Sequence, residues 1–421
     1  MEMLQTLKGF RDFLPREKRA RDYIIEKIKE TFEIFGFEPV ETPTLEYAEL
    51  LLGKYGEEAD KLVYSFADRG ERQVALRYDQ TVPITRMLVQ YQHELPRYFR
   101  RYQVQNVFRA EKPQRGRYRE FTQADIGIFG STSPIADAEI LACTYFAYKN
   151  IGFLNVTLKI NDRKTLFETL KPFATAEVDV FSIIQSIDKL DKQSREEVLA
   201  ELSAKGLAST QARQALEAIQ ATKPTENLNQ IIAAATGLGI PAEALEYTPV
   251  LSRGLDYYTG MIFEVFIPEY PVGACGGGGR YDQLVEQLSG VDIPAVGFAF
   301  GFDRTVEAAL ELDLVPISVA VSQVLITIFD ESTMMDSFRA AQELRLAGVH
   351  CEVYPELERL GKQLRLADQK SIPFVVIIGP DEAKKRSATI RNMKTGEQIT
   401  VAQAELPESI LSKLPKSGAA A

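Results

Sequence analysis

The chain has 421 residues, 45% of them hydrophobic and 26% charged, and a formal net charge of −10. That length supplies enough apolar surface for two or three globular cores, and no apolar run reaches the length of a membrane span. Three cysteines far apart (Cys143, Cys275, Cys351) and only two histidines (His93, His350) exclude a disulfide framework, zinc-ligand spacing and nearly every Ser-His or Cys-His catalytic unit. The first residues are polar and charged, with no secretory apolar core, so a cytoplasmic address is expected.

In chain order, residues 16–35 predict an amphipathic helix. Ala20, Ile24, Ile28, Phe32 and Phe35 recur at three- and four-residue steps, and Gly36 supplies a stop. A strand from Phe37 to Thr42 follows and ends at Pro43. Between Arg97 and Phe129 the chain reads strand, turn, strand, with Pro113 to Gly116 turning it. Arg97 to Arg119 carries eight cations against the single anion Glu111, a local charge of +7 in an acidic chain, with aromatics interleaved. Such a stretch suits phosphate contacts as well as it suits a solvated basic face.

Residues from 163 to about 245 are rich in Ala, Glu, Lys, Leu and Ser and predict a helical insertion. Strands resume near Tyr247; the four glycines Gly276–Gly279 and Arg280 precede a helix expected from Tyr281 to about Leu288. A linker is expected over 313–322, then a small α/β domain over 323–408 and a tail over 409–421. In that domain, strands are expected at Val324–Phe329, Cys351–Tyr354 and Phe374–Ile378, helices at Thr333–Ala347 and Leu357–Lys370, and a last hairpin at Thr389–Met393 and Ile399–Val401.

Four constellations carry chemistry. Arg109 and Glu111 close a strand beside the basic loop, where an arginine clamps a phosphate and a carboxylate holds Mg²⁺ or an amino group; a cross-strand ion pair explains them equally well. Arg253 precedes Tyr257 and Tyr258, which in a strand point to opposite faces, and is placed to stabilise developing negative charge. The glycine run before a helix offers a close backbone approach to an anion, although it matches neither the P-loop nor the dinucleotide fingerprint. Gly297 to Arg304 alternates glycine and phenylalanine like a buried strand, with Arg304 at a helix start. Arginine-bearing strands without a nucleophile suggest phosphate chemistry run by positioning and electrostatics.

These motifs together resemble the histidyl-tRNA synthetases. Arg253–Gly260 is similar to the family's first histidine motif and Ala274–Asp282 to its second. Phe108–Glu111 with Arg117–Phe121 resembles class II motif 2, Gly297–Arg304 resembles motif 3, and the strand ending at Pro43 resembles motif 1. Arg77–Pro83 resembles the amino-acid-binding segment. The resemblance implies an α/β (α+β) class II catalytic core over 1–322, an antiparallel sheet flanked by helices, and an anticodon-binding domain over 323–408. It implies activation of histidine with ATP and Mg²⁺, transfer to tRNA(His), and a homodimer formed through motif 1. Asp79, Gln80, Thr81, Gln123 and position Gly127, with Tyr257 and Tyr258, would surround histidine. Arg109 would grip the α-phosphate beside Arg253, the family's catalytic position. Glu111, Phe121, Gly278 and Arg304 would bind ATP, and Arg115, Arg117 and Arg119 would meet tRNA. No protein side chains alone form a metal site. One departure stands out: the family has an acidic residue where this chain has Gly127, and Asp125, two residues earlier on the same strand face, is the candidate to compensate. The competing reading is a catalytically silent, histidine-binding paralogue that regulates ATP phosphoribosyltransferase.

Overall fold

The computed structural model describes residues 4–52, 62–112, 118–191, 193–253, 257–316 and 320–414. The chain divides into two compact units, Met1–Val315 and Pro316–Ala421.

The first unit is built on an eight-stranded sheet with order β1-β5-β6-β11-β10-β9-β7-β8. Its strands are β1 (Glu38–Pro39), β5 (Phe99–Phe108), β6 (Glu120–Phe129), β7 (Thr157–Asp162), β8 (Leu245–Tyr247), β9 (Met261–Phe266), β10 (Gly276–Arg280) and β11 (Ala295–Phe300). All pairs are antiparallel except β1 with β5 and β7 with β8. A smaller sheet orders β2 (Leu45–Tyr47), β4 (Gln73–Leu76) and β3 (Ser65–Ala67).

The expected first helix is Pro15–Ile34, opened by a proline whose missing N–H costs nothing at that position. Ala20, Ile24, Ile28 and Phe32 are wholly buried, and Gly36 follows with a positive φ of 75°. Each of the larger three contributes about 1.5–3 kcal/mol by leaving water. The helix packs on Pro134–Ile151, whose Ser133 side chain accepts from the N–H of Ile135 and whose chain leaves through Gly152 at φ 116°. The strand expected from Phe37 to Thr42 shortens to the two residues of β1.

The expected insertion forms five helices: Arg163–Leu170, Val180–Ile187, Arg195–Ala204, Ser209–Gln220 and Glu226–Gly237. Their core is continuous with Leu251, Tyr258 and Tyr281 from the catalytic unit, so the insertion buttresses the loops that carry the tyrosines.

In the second unit a five-stranded sheet has order β13-β12-β14-β15-β16. The strands are β12 (Val324–Ile326), β13 (Cys351–Val353), β14 (Phe374–Ile377), β15 (Ser387–Asn392) and β16 (Gln398–Ala402). Helices Met334–Leu346, Leu360–Gln369 and the unforeseen Pro380–Lys385 alternate with them. The tail expected from residue 409 is corrected: Leu406–Leu411 is helical, and Leu406 and Ile410 are wholly buried in this unit's core. Residues beyond 414 lie outside the described part.

Candidate functional site

The glycine run is not the loop before a helix that its composition suggested. Gly276–Arg280 is strand β10, in the middle of the sheet, and the next helix begins only at Leu284. Glycine is a poor strand former, so the reason lies in what each neighbour occupies. A Cβ on Gly277 would sit 1.3 Å from Nη1 of Arg253, and one on Gly278 would sit 2.1 Å from the carbonyl oxygen of Gly297. A Cβ on Gly279 would sit 2.5 Å from the carbonyl oxygen of Met261 and 2.8 Å from the ring of Tyr258. The glycines let an arginine and a tyrosine lie flat on the sheet.

Above this surface is a cavity of about 570 Å³, within the usual range for a small-ligand site. Its wall includes Asp79, Thr81, Arg101, Arg109, Gln123, Asp125, Arg253, Tyr257, Tyr258, Gly277, Gly278 and Tyr281. Of the expected residues, the structure thus brings Asp79, Thr81, Arg109, Gln123, Gly278, Arg253, Tyr257 and Tyr258 to one cavity.

Arg253 has φ of 53°, a left-handed conformation costly for a residue with a Cβ. Its Nη1 lies 3.4 Å from the carbonyl oxygen of Phe263 and 3.6 Å from Oε1 of Glu264, and its guanidinium carbon is 5.5 Å from the Tyr258 ring centre. Its Nε is buried with no partner. Arg109, just past β5, donates from Nε to the carbonyl of Tyr78 at 3.1 Å, and its guanidinium lies 5.0 Å from the Phe121 ring centre. Tyr257 and Tyr258 do not lie in a strand facing opposite ways. They sit in the connection before β9, ring centres 4.6 Å apart, with Tyr257 also 5.7 Å from Tyr281. Packing against the helical insertion overrides the period-two expectation.

Two carboxylates share this enclosure. Asp79 accepts from the N–H of Val82 at the start of helix Thr81–Gln90. Burial pushes its carboxyl up to about 6, against the pull of that N–H and of Arg109 and Arg101. Burial raises Asp125 to about 7; Arg101 opposes this and the neighbouring Asp79 adds to it. The Oδ1 of Asp125 and the Oε1 of Gln123 are buried without partners, the kind of orphaned acceptor that a bound donor satisfies.

Other expected residues lie off this wall. Gln80 is wholly buried, and its amide nitrogen donates to the carbonyls of Gln105 and Gln123, bracing β5 and β6 from behind. Gly127 is in β6, between Arg101 of β5 and Gly297 of β11. Glu111 and Arg119 are joined at the strand ends, where Nε of Arg119 donates to the carbonyl of Glu111 at 3.1 Å. Arg304, in helix Phe302–Glu311, donates from Nη1 to the carbonyl of Ala274. Arg115 and Arg117 lie outside the described residues.

The basic stretch proves to be several sites rather than one patch. Arg100 pairs with Glu139 at 2.7 Å, Arg101 is 1% exposed inside the cavity, and the N–H of Arg119 bonds the carbonyl of Gly9 at 2.9 Å. The amino-terminal segment closes this side of the molecule. Arg11 stacks 3.2 Å above the Tyr118 ring centre, and both Arg11 and Arg21 pair with Asp303, at 2.8 and 2.5 Å. Sequence reading missed Arg101, Tyr281 and this amino-terminal brace. Among the described residues no group of three or more His, Cys, Asp or Glu converges as a metal cage, and no helix is long and apolar enough to cross a membrane.

Comparison with known proteins agrees with this geometry. The family model for histidyl-tRNA synthetase matches residues 9–305, and the anticodon binding domain model matches residues 323–413. A histidine–tRNA ligase of Wolinella succinogenes is 37% identical, covering 97% of this chain and 98% of that protein; one of Gloeobacter violaceus is also 37% identical, covering 98% and 100%. The crystal structure of histidyl-tRNA synthetase from Nostoc sp. PCC 7120 superposes with a TM-score of 0.83 at 29% identity, covering 98% of this chain and all of the other. A protein from Bacillus halodurans described as an ATP phosphoribosyltransferase regulatory subunit/histidyl-tRNA synthetase shares the fold, with a TM-score of 0.71 at 20% identity over 87% of this chain. Matched along nearly its whole length, with the glycine-floored cavity inside the matched region, the chain belongs to the histidyl-tRNA synthetase family.

Proposed function

We propose that this protein activates L-histidine with ATP to form histidyl-adenylate and pyrophosphate, then transfers the histidyl group to the 3′ end of tRNA(His). The observation that carries this reading is one cavity in which two arginines, Arg109 and Arg253, face two buried carboxylates with no nucleophile among them. Asp79, with Thr81 beside it, holds the ammonium group of histidine and regains its charge on doing so. Arg109 holds the α-phosphate from one side and Arg253 from the other. The histidine carboxylate oxygen attacks the α-phosphorus, the bond to the β-phosphate oxygen breaks, and pyrophosphate leaves with its electron pair. A carboxylate needs no general base, and the arginines neutralise the charge spread over the phosphoryl oxygens. In the second step a ribose hydroxyl of tRNA attacks the carbonyl carbon, its proton passes to a phosphate oxygen of the adenylate, and AMP leaves with the electron pair of the broken acyl C–O bond.

Arg304 and Glu111 flank the nucleotide end, and Phe121, with Arg109 already over its ring, offers a stacking face to adenine. Glu111 would help to hold Mg²⁺, whose charge would offset that of the triphosphate oxygens. Arg119, together with Arg115 and Arg117, meets the acceptor end, and the second unit holds the anticodon. The protein works as a cytoplasmic homodimer joined through the region of β1. The regulatory alternative is weaker, because this chain keeps Arg253, Arg304 and the second unit, and because relatives covering nearly all of it carry the ligase name.

The test is amino-acid-dependent ATP–pyrophosphate exchange with all twenty amino acids. Exchange with histidine alone is expected; no exchange with any amino acid would favour the regulatory reading. In the same assay Arg253→Ala should lower exchange by at least 10²–10³-fold, about 3–4 kcal/mol of transition-state stabilisation, while ATP still binds. Near-normal exchange would remove Arg253 from the mechanism.

A further inference from the structure

Arg101 is the most conspicuous group in the cavity that the reaction above does not use. It is 1% exposed, and its Nε and Nη1 have no hydrogen-bond partner. A buried cation with idle donors is costly unless something binds them. Its surroundings are shaped to keep it there. In the sheet register Arg101 of β5 lies beside Gly127 of β6, which lies beside Gly297 of β11, which lies beside Gly279 of β10. Three glycines in one row leave a trough next to the arginine. A Cβ on Gly127 would stand 3.5 Å from Nε of Arg101 and 3.1 Å from the ring of Phe129, and one on Gly297 would stand 2.9 Å from the Tyr281 hydroxyl. Any longer side chain at 127 would contest the space the guanidinium fills. On the same sheet face, one row along, Asp125 presents its own unpartnered Oδ1.

A positive donor and a carboxylate acceptor, diagonal neighbours on one sheet face and each with polar atoms left unpaired, complement a ring that carries one bare nitrogen and one N–H, as a neutral imidazole does. We propose that Arg101 and Asp125 read the side chain of the substrate: a free guanidinium N–H of Arg101 donates to the unprotonated ring nitrogen, and Asp125 accepts from the ring N–H. The missing acid at position 127 is thus replaced by a different recognition device, with Gly127 making room for it. This rests on the histidine-activation reading.

The experiment is pyrophosphate exchange with Arg101→Leu, Arg101→Lys and wild type, measuring KM for histidine and ATP separately, with β-(2-thienyl)alanine as a ring of similar shape that has no nitrogen. Wild type must exchange with histidine; if it does not, the activity reading itself fails. Given that activity, Arg101→Leu should raise KM for histidine roughly 10–100-fold, the range for losing a hydrogen bond to a charged group. KM for ATP should stay within twofold, and the preference for histidine over thienylalanine should narrow by a similar factor. An unchanged KM for histidine, or an equal rise in both KM values, overturns the proposal. Should Arg101→Leu fail to fold, Arg101→Lys decides in the same way. It keeps the charge but not the fork, so a severalfold rise in KM for histidine alone supports the proposal, and no rise overturns it.

Discussion

The two units of this protein place their sheets under opposite demands. In the second unit the central strands β12 and β14 are aliphatic and aromatic; Val324, Leu325, Ile326, Phe374, Val375 and Val376 are all at most 5% exposed, and separate apolar clusters cover the two faces. In the first unit the central strand β10 is four glycines and an arginine, β11 adds Gly297 and Ala299 to the cavity wall, and the groups around them include Arg101, Asp125, Gln123 and Arg253, each with a buried atom that lacks a partner. One sheet is finished by its own side chains. The other leaves its polar inventory incomplete and lets ligands complete it, which is why its stability and its activity are set by different atoms.

Substitutions at matched depth should separate the two regions. The largest effect is expected from Gly277→Ala. Its Cβ falls within bonding distance of Nη1 of Arg253 and 3.1 Å from the carbonyl oxygen of Phe263, so the guanidinium must leave. Exchange should drop by roughly 10²–10³-fold, as for loss of the arginine, with little change in the melting temperature of the first unit; retained activity would show that the arginine can work from elsewhere. The counterpart is Ile326→Ala, wholly buried between β13 and β14. It should cost about 2–5 kcal/mol of second-unit stability in denaturant unfolding and leave pyrophosphate exchange intact. Loss of exchange there would mean the units are coupled.

A smaller effect, about tenfold, should appear with pH. Asp79 and Asp125 have carboxyls raised to about 6 and about 7. The bound ammonium favours the charged form of Asp79 and the ring N–H that of Asp125, so histidine binding is complete above pH 7 and weakens as pH falls through that window, by up to a decade per unit for each proton displaced. Folding runs the other way. The folded protein holds these protons more tightly than the unfolded chain, so the two groups stabilise the unliganded protein fully below about pH 4, and that contribution is lost progressively as pH rises from there through 6 to 7. Histidine itself titrates nearby; comparing KM against pH for wild type and Asp125→Asn isolates the protein's share, and superimposable profiles would refute it. Smallest, Arg304→Ala should raise KM for ATP severalfold while leaving KM for histidine unchanged.

Much of this molecule is legible in its sequence where pattern and burial agree. The stripe Ala20–Ile24–Ile28–Phe32 announces its helix, and the alternation after Val324 announces an α/β unit, because those elements bury their own apolar faces. The glycine run misleads because its strand is dictated by neighbours far along the chain, namely Arg253, Gly297 and Met261, and no local property of glycine favours a strand. Arg101 is hidden for another reason. Charge counting merges it with seven other cations, although period-two geometry separates it: once Gln123 faces the pocket, Asp125 and Gly127 share that face, and cross-strand pairing brings Arg101 beside Gly127. The twin tyrosines escape a period-two reading because the helices that share their core, Val180–Ile187, Arg195–Ala204 and Ser209–Gln220, lie well upstream of them.

The amino-terminal brace has a practical side. Arg11 and Arg21 both hold Asp303, the residue next to Arg304, and the carbonyl of Gly9 anchors Arg119 just before β6. The front of the chain is thus wired to helix Phe302–Glu311 and to the residue just before β6. Anyone trimming this protein for crystallisation, or fusing a reporter to its front, should keep Gly9 and Arg11 intact.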